Sequence, residues 1–156
     1  TNNSYSGTKV VTEGGVKGFV DRAYRCGDPD IIIIHGGTND KNQSSPIGEY
    51  GFDLPMGQLD DMSYRSAYVK LVKMLQNRYD GVQIIVLVGD MLTREYALSN
   101  IEIAKHFGLP CVDFTNGGTI NNDKTNIPKS SGSHPDAKGH QYMADRIYQV
   151  CNDYLP

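Results

Sequence analysis

Four consecutive isoleucines, Ile31–Ile34, constrain the fold of this chain more than any other feature of its sequence. β-branched side chains favour extended backbone, and a run without polar alternation indicates a strand that is covered on both faces. The segment Val82–Val88 has the same character, and Pro110–Phe114 is a shorter example. Coverage of both faces is typical of parallel sheets flanked by helices. The sequence therefore predicts an α/β domain with strands at Asp30–His35, Val82–Val88 and Pro110–Phe114.

Segments with helical spacing of apolar residues separate and follow these strands. Ser63 and Thr93 are candidate N-caps, and Pro135 suits the first position of the last helix. The predicted helices cover the apolar stripes Val16–Ala23, Tyr64–Tyr79 and Ala97–Phe107, and a final segment from about Pro135 to Tyr154. Strands and helices alternate throughout, as they do in a parallel α/β sheet.

Two long stretches, Lys41–Asp60 and Thr115–Ser133, have no clear periodicity and are predicted as loops. Loops of this length inside a compact domain usually carry a function. Each follows the carboxyl end of a predicted strand, which is where open α/β sheets bind their ligands. We therefore expect the functional site at that edge of the sheet.

Composition excludes several classes of protein. A chain of 156 residues is expected to form one domain, and its net charge of −3 argues against nucleic acid as a partner. No apolar run approaches the roughly 20 residues of a membrane span. No nucleotide-binding glycine motif occurs, and His106 and His140 stand without nearby ligands, so we expect neither cofactor nor metal. Three scattered cysteines, Cys26, Cys111 and Cys151, indicate core thiols rather than disulfides. The compartment stays open, with secretion and the periplasm among the options.

The isoleucine strand creates a problem at the edge of the sheet. If it is the first strand, one of its edges is open, and an exposed run of isoleucines is a template for aggregation. The opening segment Thr1–Thr8 also has the composition of a loop that follows a strand. We therefore expect a domain that is incomplete at its N-terminus and lacks an upstream strand-helix-strand segment. The alternative is a complete small sheet whose edge is covered by a helix or by another subunit.

Two polar segments carry candidate catalytic groups. His35-Gly36-Gly37-Thr38-Asn39-Asp40 follows the isoleucine strand, and the side-chain amide of Asn39 could donate to an oxyanion. Ser133-His134-Pro135 precedes the last helix, and a neutral His134 could accept a hydroxyl proton and return it. Each segment also has a simpler explanation, namely an Asn-Asp turn and a surface histidine. His35 could line the same pocket or simply end its strand.

Three short blocks, taken together and in order, resemble signature blocks of the SGNH hydrolases, the GDSL esterase and lipase family. The blocks are Asn3–Thr8, Gly37–Asp40 after the isoleucine strand, and Ser131–Pro135 followed by Gly139. The resemblance covers nearly the whole chain. It implies a three-layer α/β/α, flavodoxin-like fold and hydrolysis of carboxylic esters by a serine nucleophile.

The same resemblance implies a role for particular residues. The backbone N–H of Gly7 and the side-chain amide of Asn39 would hold the oxyanion, and His134 would activate the serine. Ser131 stands where the family usually has an aspartate that orients the histidine. Asp136 follows His134 closely, but it is better explained as a cap of the last helix.

The block that carries the family's nucleophile, Gly-Asp-Ser, does not occur in this sequence. Gly89-Asp90-Met91 has its first two letters, but it lacks a hydroxyl and follows the wrong strand for the family order. We therefore expect the serine upstream of Thr1, together with the missing strand, and we expect this chain alone to be inactive. Polar and aromatic loops that contain Tyr50 and Phe52 favour a small polar or carbohydrate ester as the substrate.

Two other functions stay open at this point. One is a catalytically inactive binding module of the same fold, which Ser131 and the absent nucleophile favour. The other is an anion-binding flavodoxin-like domain that uses the glycine turn at a helix start.

Overall fold

The structure of the protein is a computed structural model that describes residues 2–14, 17–115, 127–131 and 134–154. Its main sheet has three parallel strands in the order β1-β2-β3, which are Ile31–His35, Gln83–Val88 and Cys111–Asp113. In this register Ile33 lies beside Ile85, and Leu87 lies beside Val112. The predicted strands and their parallel order are confirmed, with bounds one or two residues shorter.

Helices lie on both faces of the sheet, as in a three-layer α/β/α fold. They are α1 Phe19–Arg22, α2 Thr38–Asn42, α3 Tyr64–Arg78, α4 Arg94–His106 and α5 Ala137–Tyr154, with short 3₁₀ turns at Ala23–Arg25 and Met56–Gln58. The helices α3 and α4 begin directly after Ser63 and Thr93, as predicted, although neither side chain makes a capping hydrogen bond. Val16, the first residue of the predicted α1 stripe, lies outside the described residues. No helix in the described part of the chain is both long and apolar enough to cross a bilayer.

The larger core fills the space between the sheet and helices α1, α3 and α4. Tyr64, Tyr68 and Ile103 of these helices are completely buried. They pack against the alternate strand residues Ile32 and Ile34 of β1 and Ile84, Val86 and Val88 of β2. Because successive strand side chains point to opposite faces, these positions form one continuous apolar surface.

A much smaller core lies on the opposite face, under α5. Its buried members are Ile85, Leu87, Val112, Phe114 and Ile127. The helix contributes only half-buried side chains, and Gly139 is its one buried residue among those described. This layer covers β2 and β3 but leaves Ile33 of β1 45% exposed.

The outer edge of β1 has no strand partner among the described residues. A groove of about 590 Å³ runs along it and is lined by the whole of β1 together with Asn2–Ser4, Phe19, Arg22, Leu71 and Leu75. The isoleucine strand is therefore open along one edge and on part of one face, as its position in the sequence led us to expect.

The start of the last helix differs from the prediction. Pro135 is not its first residue, because His134–Pro135 forms β5, which pairs antiparallel with β4, Lys129–Ser131. The helix begins at Ala137, and Asp136 caps it by accepting a hydrogen bond from the Gly139 N–H at 2.8 Å, as predicted. Strand β4 falls in the stretch Thr115–Ser133, predicted as a loop, and most of that stretch, including 116–126, lies outside the described residues. Both strands of the β4–β5 hairpin are too short and polar to show a period of two.

Candidate active site

Two glycines turn the chain sharply at the carboxyl end of β1. Gly37 has a φ of 110°, which favours glycine, and a Cβ there would collide with the Tyr64 hydroxyl. A Cβ at Gly36 would lie 2.7 Å from the Val10 Cγ2 methyl. The turn leads directly into α2 and so sets Asn39 and Asp40 above the sheet. With only five residues, α2 is too short to provide a strong dipole, which removes the main support for an anion-binding site there.

Asp40 anchors the N-terminal segment to α2. Its side chain is completely buried. The carboxylate accepts hydrogen bonds from the Val10 N–H at 2.8 Å and the Val11 N–H at 3.2 Å. Burial raises the pKa of Asp40, and these backbone donors oppose that rise. The Asn-Asp pair therefore does more than close a turn, because it ties two distant segments together.

Asn39 is held in contact with the segment that contains Gly7. Its Nδ2 donates to the Thr8 carbonyl oxygen at 3.0 Å, and Gln43 Nε2 donates to the Gly7 carbonyl oxygen at 3.4 Å. A side-chain amide has two N–H bonds, and the hydrogen bond to the Thr8 carbonyl oxygen uses one of them. Gly7 has a φ of 76°, a conformation that favours glycine. The structure thus brings together the two segments that carry the predicted oxyanion donors.

A buried arginine supports the same segment from the other side. Arg22 is 3% exposed and lies between the rings of Tyr5 and Phe19, with its Cζ 4.9 and 4.8 Å from their centroids. Its Nη2 donates to the Thr8 Oγ1 at 3.0 Å, and its Nε donates to the Asn3 carbonyl oxygen at 3.0 Å. The sequence analysis missed this residue. The signal was an arginine three positions after Phe19, on the apolar side of a predicted helix.

His134 lies in β5 with an exposed side chain, opposite Ser131 of β4. An ion pair locates this hairpin, because Lys129 Nζ of β4 lies 2.6 Å from Asp90 Oδ2, just beyond the end of β2. The carboxyl end of β2 is the same edge at which β1 turns into α2. The hairpin with the predicted base therefore stands at the edge predicted for the site.

The turn after β2 also contacts α2. Lys41 Nζ donates to the Met91 carbonyl oxygen at 3.0 Å, one residue from the carboxylate that holds Lys129. Lys41 lies two residues after Asn39 on α2. The elements that carry Asn39 and His134 thus meet on one short turn, although no direct contact joins the two side chains among those described.

No carboxylate among the described residues forms an ion pair with His134. Asp136 is occupied as the cap of α5. The side chain of Ser131, which stands at the position of the family's aspartate, lies outside the described part of the structure.

His35 ends β1 beside this site. The His35 side chain is exposed at its surface, but the protein around it partly desolvates the imidazole, which lowers the pKa of His35, and the nearby Asp90 carboxylate opposes this effect. A Cβ at Gly89 would lie 3.1 Å from His35 Nε2, so the glycine allows the close approach of the two strand ends. A histidine with a lowered pKa is neutral at physiological pH and can line a pocket without adding charge.

Tyr50 and Phe52 do not line this edge. Their rings stack at 4.7 Å, and Phe52 stacks on His106 at 3.8 Å. His106 is the last residue of α4, which leads back to the start of β3 and therefore lies near the opposite edge of the sheet. The two aromatic residues thus give no support for the nature of the substrate.

The cysteines do not supply a nucleophile to this site. All three are free and half-buried. Burial raises the pKa of Cys111 to about 11, which keeps its thiol protonated at neutral pH. Cys111 also starts β3, at the edge away from the site.

Comparison with known proteins identifies the family of this site. The family model described as GDSL-like Lipase/Acylhydrolase matches residues 1–151. The chain belongs to the GDSL-like lipase/acylhydrolase family. This confirms the resemblance seen in the three short blocks and supports a hydrolase function for the GDSL-like chain. A comparison with curated proteins finds no match.

Two crystal structures of similar proteins, each described as a GDSL-like lipase, have the same fold as this GDSL-like chain. The structure from Bacteroides ovatus is 28% identical with a TM-score of 0.82, and the alignment covers 98% of this chain and 71% of that one. The structure from Bacteroides uniformis is 30% identical with a TM-score of 0.81, and its alignment covers 97% of this chain and 68% of that one. The similarity extends over nearly all of the three-layer fold described above.

Proposed function

We propose that this GDSL-like chain is part of a carboxylic ester hydrolase whose site lies at the carboxyl edge of the sheet. In this proposal Asn39 and Gly7 donate to the oxyanion, and His134 is the general base. The observation that carries it is the hydrogen bond from the Asn39 amide to the Thr8 carbonyl oxygen, which holds Asn39 beside the Gly7 segment; in the proposal the second amide N–H donates to the oxyanion. Family membership supports the reaction class.

The proposed reaction has two acyl-transfer steps. His134 accepts the proton of a serine hydroxyl as its oxygen attacks the ester carbonyl, and the oxyanion that forms is held by the Gly7 and Asn39 N–H groups. The intermediate collapses, the C–O bond to the leaving group breaks, and His134 returns the proton to the departing alcohol. Water then hydrolyses the acyl-serine with His134 again as the base. One lost oxyanion donor typically costs about 10²–10³ in kcat.

The nucleophile in this proposal is a serine outside the sequence in hand. The groove along the open edge of β1 and the 45% exposure of Ile33 support a further parallel strand beside β1. Such a strand would end at the same edge as Asn39 and could present a serine there. The two similar structures are longer, since this chain covers 71% and 68% of them.

The substrate in this proposal is a small polar ester, including acylated carbohydrates. The support comes from the edge itself, where the first two residues of α2, Thr38 and Asn39, carry polar side chains. Polar side chains of this kind bind hydroxyl groups better than a long acyl chain.

The proposal is tested with the protein extended through its upstream coding sequence. A fluorophosphonate probe and a short-chain aryl ester are offered to this protein and to His134→Ala, with His140→Ala as the matched control on the exposed face of α5. We expect ester turnover and probe labelling of the original protein, a loss of turnover of at least about 10³-fold in His134→Ala, and full activity in His140→Ala. Mapping of the labelled peptide should find a serine outside residues 1–156.

Equal turnover in the original protein and His134→Ala would contradict the proposed role of the histidine. A labelled residue within 1–156 would contradict the proposed position of the nucleophile.

A second candidate, an inactive binding module of the same fold, is favoured by Ser131 in place of the aspartate. A serine can accept a hydrogen bond from the imidazole but brings no charge to stabilise the imidazolium. Saturable binding of an acetylated sugar with no turnover and no probe labelling would support this candidate over the hydrolase.

A further inference from the structure

The turn Gly89-Asp90-Met91 lies between the two elements that carry the predicted site residues. Lys129 Nζ of the hairpin lies 2.6 Å from Asp90 Oδ2 and 3.6 Å from Met91 Sδ. On the other side, Lys41 Nζ of α2 donates to the Met91 carbonyl oxygen at 3.0 Å. This turn has the first two letters of the Gly-Asp-Ser block without its serine, and it contacts both the hairpin and α2.

We propose that the Asp90–Lys129 ion pair is a latch that fixes the His134 hairpin on the end of β2, and so sets the position of His134 relative to Asn39. Asp90 and Lys129 are positioning residues in this proposal, and neither takes part in bond making. The consequence for catalysis rests on the proposed function, whereas the latch itself does not.

The hairpin needs such an anchor because of its size. Its strands have three and two residues, and an isolated two-stranded hairpin is marginally stable in water. Buried Ile127 and the hydrogen bond from the Asp136 N–H to the Pro128 carbonyl oxygen at 3.0 Å hold its two ends to the rest of the chain. Ile127 packs in the small core with Ile85 and Leu87 of β2, and the ion pair adds a polar contact at the carboxyl end of that strand. Lys129 pairs with Pro135, the residue that follows His134. The ion pair therefore holds the hairpin next to the predicted base.

The ion pair is shielded on its acidic side, which makes the loss of one partner costly. The side chain of Asp90 is 11% exposed and that of Lys129 is 18% exposed. The Lys70–Asp61 pair has a similar N–O distance of 2.7 Å, but its carboxylate is 40% exposed. Water screens a partly buried ion pair less than an exposed one, so its loss should cost more than the loss of an exposed pair. Lys70 is therefore a matched control for Lys129.

Hydrogen exchange tests the latch without any need for activity. Lys129→Met, Lys129→Arg and the control Lys70→Met are made in the upstream-extended protein, and amide exchange is followed by mass spectrometry. We expect Lys129→Met to speed exchange in 127–136 by about tenfold with no change in α3, and Lys129→Arg to restore slow exchange. Lys70→Met should leave the exchange of 127–136 unchanged. In ester assays Lys129→Met should lower kcat by about tenfold or more, with KM within about twofold.

The outcomes separate this proposal from the proposed function. Unchanged exchange in 127–136, or an equal rise in 127–136 and α3, would overturn the latch even if ester turnover depends on His134. Faster exchange confined to 127–136 in a protein without ester turnover would support the latch and count against the hydrolase. A fall in kcat for Lys129→Met that Lys129→Arg does not reverse would overturn the positioning role.

Discussion

The two faces of the sheet are buried to different degrees. On the face under α3 and α4, helix side chains such as Tyr68 and Ile103 are completely buried, and both β1 and β2 are covered. On the opposite face, α5 lies over β2 and β3 with side chains that are at best half-buried, and Ile33 of β1 stays open. The first face carries the stability of the described fold, whereas the second has room for further chain beside α5 and β1.

The largest expected effect comes from truncating one isoleucine to alanine on each face of the sheet. Ile103→Ala in α4 removes a fully buried side chain and should lower the free energy of unfolding by about 2–5 kcal/mol. Ile147→Ala in α5 removes a half-buried side chain and should cost under about 1.5 kcal/mol. Urea unfolding monitored by circular dichroism measures both. Equal costs for the two variants would show that the second face is as well packed as the first.

A smaller effect tests the polar groups in the core under α3 and α4. The Tyr64 hydroxyl donates to Asn100 Oδ1 at 2.6 Å, whereas the Tyr68 hydroxyl has no partner among the described residues. Tyr64→Phe should lower the free energy of unfolding by about 1–2 kcal/mol, because Asn100 loses its donor. Tyr68→Phe should be neutral or slightly stabilising, because it removes an unsatisfied hydroxyl. A shared loss of stability in both variants, measured by the same unfolding experiment, would contradict the assigned hydrogen bonds.

The smallest expected effect is a pH dependence that comes from Asp40. Because burial raises its pKa above the ordinary 3.8, the folded protein binds this proton more tightly than the unfolded chain does. The associated stability is present below pH 3.8 and is lost as the pH rises through the raised pKa. Relative to Asp40→Asn, which has no carboxyl group to titrate, the original protein should therefore lose free energy of unfolding as the pH rises from 3.8 through the raised pKa of Asp40. Parallel pH profiles of the two proteins would contradict the raised pKa.

The open face and edge could be anticipated from the sequence. A run of four isoleucines without polar alternation requires cover on both faces, and the described residues leave Ile33 of this run 45% exposed. The three blocks that resemble the SGNH hydrolases were also readable, and the family match confirms them.

The contacts that organise the site could not be anticipated. The hairpin that carries His134 has too few residues for a periodic signal, and the pairing of Lys129 with Asp90 joins positions that are far apart in the chain. Arg22 and Asp40 looked like ordinary charged residues of a helix and a turn, yet both are buried and hold the Gly7 segment. Charged side chains are usually exposed, and the one hint in the sequence, the place of Arg22 on the apolar side of a predicted helix, does not name its partners.

By itself, the sequence determined which segments become strands and helices, that the strands run parallel, and which family the chain belongs to. These properties follow from local backbone preference, from the period of apolar residues and from short blocks of neighbouring residues. Only the tertiary structure decided that Asn39 donates a hydrogen bond to Thr8 and that Asp90 forms an ion pair with Lys129. It also decided that Tyr50 and Phe52 lie away from the site. Such contacts depend on how distant segments are brought together by the packing of the core, and no local pattern records that geometry.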